Sequence, residues 1–368
     1  MKALATIPGS AVMELIDRPE PTVSASNQIK MKVLQVGICG TDREEAAGGR
    51  ADAPAGEKEL IIGHEMFGQV VEVGSRVKKV KVGDYGVFMV RRPCGTCDAC
   101  KHHRSDMCMT GNYTERGIKG RDGFQQEFVV DEDKYIVKVP EAIKHIGVLT
   151  EPTTVSEKAI DEVARIQAAR LPNVKSKTYL QGKQALVVGL GPIGLLAAVI
   201  LRLRGANVLG MDIVDETTIR PTLLKQLGGK YFDGRAIKAD KIDDTFGQID
   251  VILEATGVAE LEFELLDALG INGVYVLTGI PAGDRPISDA TGSSLMQKMV
   301  LKNQVMLGSV NASIKHFEMA IEDLEAGFNK YPDVMNQIIT DRHKYSDFQD
   351  ALSHHGPNEI KCVLEWAM

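Results

Sequence analysis

The sequence predicts an α/β protein with two domains: a barrel-like β domain with long loops, and a doubly wound parallel sheet. Three observations predict it. The first ~150 residues hold short alternating or β-branched runs broken by Gly and Pro. From Ala185 onward, apolar strands alternate with helical stretches. At the first strand-to-helix junction of that region stands Gly189-Leu190-Gly191-Pro192-Ile193-Gly194. A chain of 368 residues is long enough for two or three domains.

In chain order, Gln28 to Val36, Gly68 to Val73, Tyr85 to Val90 and Phe128 to Val130 read as strands of the β domain. Residues 156 to 170 carry apolar side chains at helical spacing, with Ser156 as the expected N-cap and Pro172 just past the end. Ala185 to Val188 is an apolar strand, Pro192 to Arg204 a helix and Asn207 to Asp212 a second strand. Ile249 to Ala255, Gly273 to Ile280 and Val305 to Val310 read as further buried strands, with Leu261 to Leu269 helical. Phe317 to Phe328 is amphipathic and helix-like, and Ile360 to Trp366 reads as a strand returning to the β domain. The expected domains are 1–183 with 310–368, and 184–309.

A hydrophobic content of 44% with 25% charged residues describes a globular chain. The net charge of -7, without a basic run, argues against nucleic acid as a partner. The longest apolar run, Ala185 to Leu201, is broken by Gly189, Gly191, Pro192 and Gly194 and so reads as strand, turn and helix rather than a membrane span. With a start that lacks a signal-peptide pattern, the expectation is a cytoplasmic protein without membrane partners.

Cys94, Cys97, Cys100 and Cys108 are spaced x2, x2 and x7. Four thiolates on one loop repel one another unless a divalent cation binds, and this set suits a closed structural zinc. Upstream, Cys39, His64 and Glu65 offer a thiolate, an imidazole and a carboxylate, and Glu151 adds another carboxylate. Three protein ligands leave a position open for water or substrate, so a second, catalytic zinc is expected. Cys362 is expected to be a buried strand residue.

The glycine motif follows an apolar strand and opens a helix, as a dinucleotide fingerprint requires. Gly189 allows the turn, Gly191 the approach of the pyrophosphate and Gly194 the packing of helix on sheet. Asp212 lies 23 positions after Gly189, where a carboxylate accepts from a ribose 2′-OH and repels a 2′-phosphate. NAD is therefore expected to be preferred, with NADP also accepted. Pro192, Ile193, Thr256, Thr278 and Asn311 complete the expected cofactor contacts.

Taken together, Gly37-Ile38-Cys39-Gly40-Thr41-Asp42-Arg43-Glu44, Gly63-His64-Glu65 and the cysteine lobe resemble the zinc-containing medium-chain dehydrogenase/reductase superfamily. Glu115-Arg116-Gly117-Ile118, Asp122-Gly123-Phe124, Glu151-Pro152 with Glu157-Lys158-Ala159, and Gly308-Ser309-Val310-Asn311 are similar to its glucose (aldose) 1-dehydrogenase branch. The resemblance implies a GroES-like catalytic domain and a Rossmann domain, with the active site between them. It implies oxidation of an aldose C1 hydroxyl to the lactone, with hydride passing to NAD(P). Cys39, His64 and a carboxylate of Glu65 or Glu151 would hold the catalytic zinc. Asp42 would orient His64, Thr41 would relay a proton or meet a substrate hydroxyl, and Glu115 and Asn311 would contact the sugar, with Glu65 and Glu151 beside it. A dimer or tetramer is implied, with an edge strand near Val274 to Leu277 available for pairing. Val155 and Leu301 stand where some relatives carry Asp and His. A polyol or alcohol dehydrogenase is the alternative within the same chemistry, and a nucleotide-binding protein without catalysis the alternative outside it.

Overall fold

Strand Gln28–Ile38 is the spine of the first of two units. Ile29, Met31 and Val33 are fully buried at alternate positions, as a pleated strand demands. A register shift against strand Glu65–Val73 falls between Val33 and Gln35, and beyond it the buried set moves to Val36 and Ile38. One extra residue reverses the parity of a strand. The chain then leaves the sheet at Cys39.

The structure is a computed structural model that describes residues 1–281, 292–353 and 356–367. The first unit comprises Met1–Thr154, Asn311–Glu325 and Ile339–Met368. Its main sheet has seven strands in the order Ile136–Val139, Tyr85–Phe88, Glu65–Val73, Gln28–Ile38, Lys361–Glu365 and Ile339–Lys344, with Phe128–Glu132 also paired to Gln28–Ile38. A small sheet joins Arg91–Arg92, Thr114–Arg116 and Gly120–Arg121, and its register places Arg91 opposite Glu115.

The second unit comprises Val155–Val310 and Ala326–Ile338. Six parallel strands run in the order Lys230–Asp233, Asn207–Asp212, Gln184–Val188, Ile249–Glu254, Leu269–Leu277 and Val305–Gly308. Ala185, Leu186, Val187 and Val188 are all 0% exposed, which is why the central strand reads as a continuous apolar run rather than an alternating one. The strand order reverses at Gln184–Val188, the place where an open α/β sheet opens a crevice at its carboxyl ends.

Three expectations change. The helix expected from Ser156 begins at Thr150 and runs to Arg170. Pro152 lies in its first turn, where a missing N–H breaks no helical bond. Ser156 is interior, and its hydroxyl donates to Ile193 O at 2.9 Å. The helix expected over Leu261 to Leu269 is Ala259–Glu264, and Leu269 opens a strand. Leu265, Leu266, Ala268 and Leu269 are all buried, and a short apolar run does not distinguish helix from strand. Strand Leu269–Leu277 is not an edge, because Val305–Gly308 pairs along it from Val274 to Leu277. Cys362 is buried in strand Lys361–Glu365, as expected. Among the described residues no helix is long and apolar enough to cross a membrane.

Candidate active site

Cys39 caps helix Gly40–Ala46: its sulfur accepts from Thr41 N, and its own N–H donates to Asp42 Oδ2 at 2.8 Å. This capping fixes where the sulfur points. His64 Nε2 lies 3.0 Å from Cys39 Sγ. Glu65, the next residue, opens the strand paired with Gln28–Ile38 and stands opposite Gly37. A Cβ on Gly37 would lie 2.0 Å from Glu65 Oε2, so only glycine leaves room for this carboxylate. One ligand atom each from Cys39, His64 and Glu65 falls within 4.8 Å of the others. Glu151 is not in that group, but its charge acts on His64, and burial pushes its own pKa up to about 7.

Burial works against charge on the acids of the site, pushing the Cys39 thiol as well as the Glu151 carboxyl up, while the two cations, His64 and Lys361, are held protonated. Burial opposes protonation of His64, yet the Cys39 thiolate and the Asp42 carboxylate outweigh it and raise its pKa. Asp42 Oδ1 faces His64 Nδ1 at 3.7 Å, and neither atom has a hydrogen-bond partner among the described residues. Lys361, 1% exposed, places its ammonium against Glu65 Oε2 and donates to Ile38 O at 2.9 Å. A lysine is buried so completely only when paired. Sequence reasoning missed it, although a charged residue inside Ile360 to Leu364 was its signal. Thr41 Oγ1 accepts from Arg50 at 3.5 Å.

Cys94, Cys97, Cys100 and Cys108 bring their sulfurs within 4.8 Å of one another, with Cys97 and Cys108 at 4.0 Å. Four sulfurs about 2.3 Å from a tetrahedral centre lie roughly 3.8 Å apart, so the lobe is close to ligand geometry. The thiols differ sharply. Hydrogen bonds from Thr110 and Thr96 pull Cys94 down to about 5, whereas burial pushes Cys100 up to about 12.

Glu115 is held rather than solvated. Its Oε1 accepts from Arg91 Nε at 3.1 Å, Arg91 Nη2 at 3.0 Å and Asn311 Nδ2 at 2.5 Å. Asn311 takes a left-handed backbone conformation, φ 60°, and its Oδ1 accepts from Ala312 N. Glu115 and Asn311, each expected singly, thus meet, and Arg91 joins them unforeseen.

In the second unit, Gly189 has φ 83° and Gly191 caps helix Pro192–Leu203. A Cβ on Gly194 would lie 1.8 Å from Gly189 O, so the packing role assigned to this glycine has a steric cause. Asp212 Oδ2 accepts from Leu190 N at 2.8 Å, which ties the glycine loop to the end of strand Asn207–Asp212. Arg220 Nη1 stands 3.8 Å from the same oxygen. Glu254, 0% exposed, accepts from Thr256 N, Thr256 Oγ1 and Gly257 N, while its backbone oxygen accepts from Thr278 Oγ1 at 2.6 Å. One buried acid therefore sets both threonines expected at the cofactor.

Residues 25–141 match the alcohol dehydrogenase GroES-like domain. With a parallel sheet and its glycine crossover downstream, this defines the class: a GroES-like dehydrogenase with a Rossmann-type second unit. Residues 144–366 match the glucose dehydrogenase C-terminus, and the chain belongs to the glucose dehydrogenase family. It is 39% identical to glucose 1-dehydrogenase 2 of Vulcanisaeta moutnovskia, over 99% of both chains. It is 33% identical to glucose 1-dehydrogenase of Methanocella arvoryzae, again over 99% of both. The glucose dehydrogenase of Haloferax mediterranei, solved with NADP, Zn and gluconolactone, superposes with a TM-score of 0.88 at 31% identity, covering 100% of both chains.

Proposed function

We propose that this chain oxidises the C1 hydroxyl of an aldose, glucose or a close relative, to the lactone, passing hydride to NAD(P) with the help of a zinc ion. The observation that carries this reading is the convergence of Cys39 Sγ, on a half-buried residue, with the buried His64 Nε2 and a Glu65 oxygen. These residues fit zinc: a sulfur and an imidazole nitrogen turn toward each other, with an acid beside them. Cys39, His64 and Glu65 would hold the ion, with Glu151 as the alternative carboxylate. A bound zinc would lower the pKa of a hydroxyl it contacts, as it does that of water, to ~7.

The chain's own residues do the rest. Asp42 faces the distal nitrogen of His64 and orients the ring. Lys361 offsets the charge of Glu65, so two carboxylates do not stand uncompensated beside a thiolate. Thr41 offers a hydroxyl for the departing proton. Glu115 and Asn311 recognise sugar hydroxyls by accepting and donating hydrogen bonds. The cysteine lobe would hold a second zinc of purely structural role, making two per chain. The nucleotide contacts are Gly189, Gly191, Pro192, Ile193, Gly194, Asp212, Thr256 and Thr278, with Asn311. The domain boundaries at 184 and 309 and a dimeric or tetrameric assembly belong to the same proposal.

NAD is the preferred cofactor in this reading, because the Asp212 carboxylate repels a 2′-phosphate; Arg220 beside it offsets part of that charge and lets NADP bind. In kcat/KM comparisons, Asp212→Ser should shift preference toward NADP by about tenfold, the worth of one charge-assisted contact. Equal efficiency with both cofactors in the unaltered chain would remove the argument.

The reading is tested by a spectrophotometric panel of glucose, galactose, xylose, sorbitol and ethanol with each cofactor, alongside elemental analysis. An aldose should give the highest kcat/KM, with two zinc ions per chain. Oxidation of sorbitol or ethanol alone would end the aldose assignment. Full turnover with one zinc, held only in the lobe, would end the catalytic-metal assignment.

A further inference from the structure

We propose that Arg91 is a positioning residue for sugar recognition: its guanidinium fixes one oxygen of Glu115 and leaves the other to accept a substrate hydroxyl. The proposal rests on the reading of Glu115 as a sugar contact.

Arg91 and Glu115 face each other across a two-strand pairing, so the register itself delivers the contact. Arg91 Nε and Nη2 both donate to Glu115 Oε1, and Asn311 Nδ2 donates to the same atom. Three donors on Oε1 saturate it. The carboxylate's remaining acceptor capacity sits on Oε2, and the Glu115 side chain is still 11% exposed. A carboxylate so held presents one oxygen in one direction, and a sugar hydroxyl that meets it need not reorganise it.

The guanidinium is itself immobilised. Nη1 donates at 3.1 Å to the carbonyl of Asp106, in the short helix Ser105–Met107 between Cys100 and Cys108. The guanidinium carbon lies 3.8 Å from the centre of the Tyr113 ring. Arg91 is 5% exposed. Two edges and one face of a planar group are thus engaged, which a lysine ammonium cannot reproduce. Its neighbour Arg92 has a different task, donating to Asp131 and to Met89 O. Adjacent arginines therefore divide the work: one braces the unit, the other aims an acid.

The test compares Arg91→Lys, Arg91→Gln, Tyr113→Leu and Glu115→Gln in the full chain, with glucose and its monodeoxy analogues at saturating cofactor. Glu115→Gln identifies the hydroxyl that Glu115 reads, as the analogue against which discrimination is lost. Both Arg91 variants should raise the sugar KM by about tenfold or more and lose that same discrimination, with kcat within a few-fold and cofactor KM unchanged. Tyr113→Leu keeps the guanidinium but removes its platform, and should show a smaller shift of the same kind; it serves if the Arg91 variants fail to fold. Wild-type KM and discrimination in the Arg91 and Tyr113 variants, with Glu115→Gln impaired, would overturn the role of Arg91 and leave the sugar contact standing. Unchanged kinetics in Glu115→Gln would remove both, and absence of aldose oxidation by the unaltered chain would remove the functional reading itself.

Discussion

The two cysteine-bearing clusters of the first unit solve the same electrostatic problem in opposite ways. The lobe gathers four sulfurs from one loop, and three of its cysteines stay partly exposed. The other cluster draws Cys39 from a helix cap and His64 and Glu65 from the start of a strand, with Lys361 from a strand far along the chain. The lobe sets no cationic side chain among its four sulfurs within the described residues, and in the proposed reading a metal ion supplies the charge. The buried cluster carries its own counter-charge in Lys361. The difference teaches that a local cluster needs only its own segment of chain to assemble, whereas a distributed one depends on the whole unit.

Four experiments press on that contrast. Cys39→Ser or His64→Ala should lower kcat/KM for the aldose by about a thousandfold or more, roughly 4 kcal/mol of transition-state stabilisation, with the melting temperature little changed. A large fall in melting temperature with kcat retained would erase the distinction between the clusters. Lys361→Met strands the Glu65 charge in a buried site and should cost about 3–5 kcal/mol in denaturant unfolding. Adding Glu65→Gln to it should recover much of that stability, because the uncompensated charge is gone; no recovery would mean Lys361 acts by packing alone.

Cys108→Ser should release one zinc per chain and lower stability by about 2 kcal/mol, read as roughly 4–8 °C in melting temperature. Turnover per folded molecule should persist. The smallest effect concerns a pair of acids in the second unit, Glu254 and Glu262, which meets the same problem with a proton. Burial and the adjacent Glu254 push Glu262 from its ordinary value of 4.5 up to about 7. Between those values the folded chain holds a proton that the unfolded chain releases, so stability falls as pH rises through that window. Glu262→Gln should flatten the dependence of melting temperature on pH from about 4.5 to 7. An unaltered slope would show that the two acids are not coupled.

The lobe and the glycine crossover were legible because each is a local geometric device. Cysteines spaced x2, x2 and x7 can close on one ion without help from the rest of the chain. Gly189 to Gly194 announces a turn that the next few residues complete. The group of Cys39, His64 and Glu65 was legible as a set of possible ligand types, but its arrangement was not. The bulge between Val33 and Gln35, the glycine that makes room for Glu65 and the ammonium behind it all depend on strand register, and spacing does not encode register. Arg91 was hidden for the same reason: it stands at the head of the cysteine motif, yet its partner lies on another strand. Ser156 misled because a serine before an apolar run resembles a cap, while the true helix start carries Pro152 in its first turn.

Strand Lys361–Glu365 has a consequence for how the molecule is made. It pairs with Gln35 to Ile38 through residues Cys362 to Glu365, and Lys361 reaches a carbonyl 323 positions away. The whole sequence of Val155–Val310 is translated between these partners. At roughly 5–20 residues per second, the newborn chain waits on the order of half a minute with one edge of that stretch unpaired, the other edge being taken by Glu65–Val73. The parallel sheet, whose strands and helices follow one another directly, can fold during this interval. The chemistry-bearing unit cannot close, so nascent copies pass through a stage with an open sticky border, and crowding of ribosomes or a missing holdase would be felt there first.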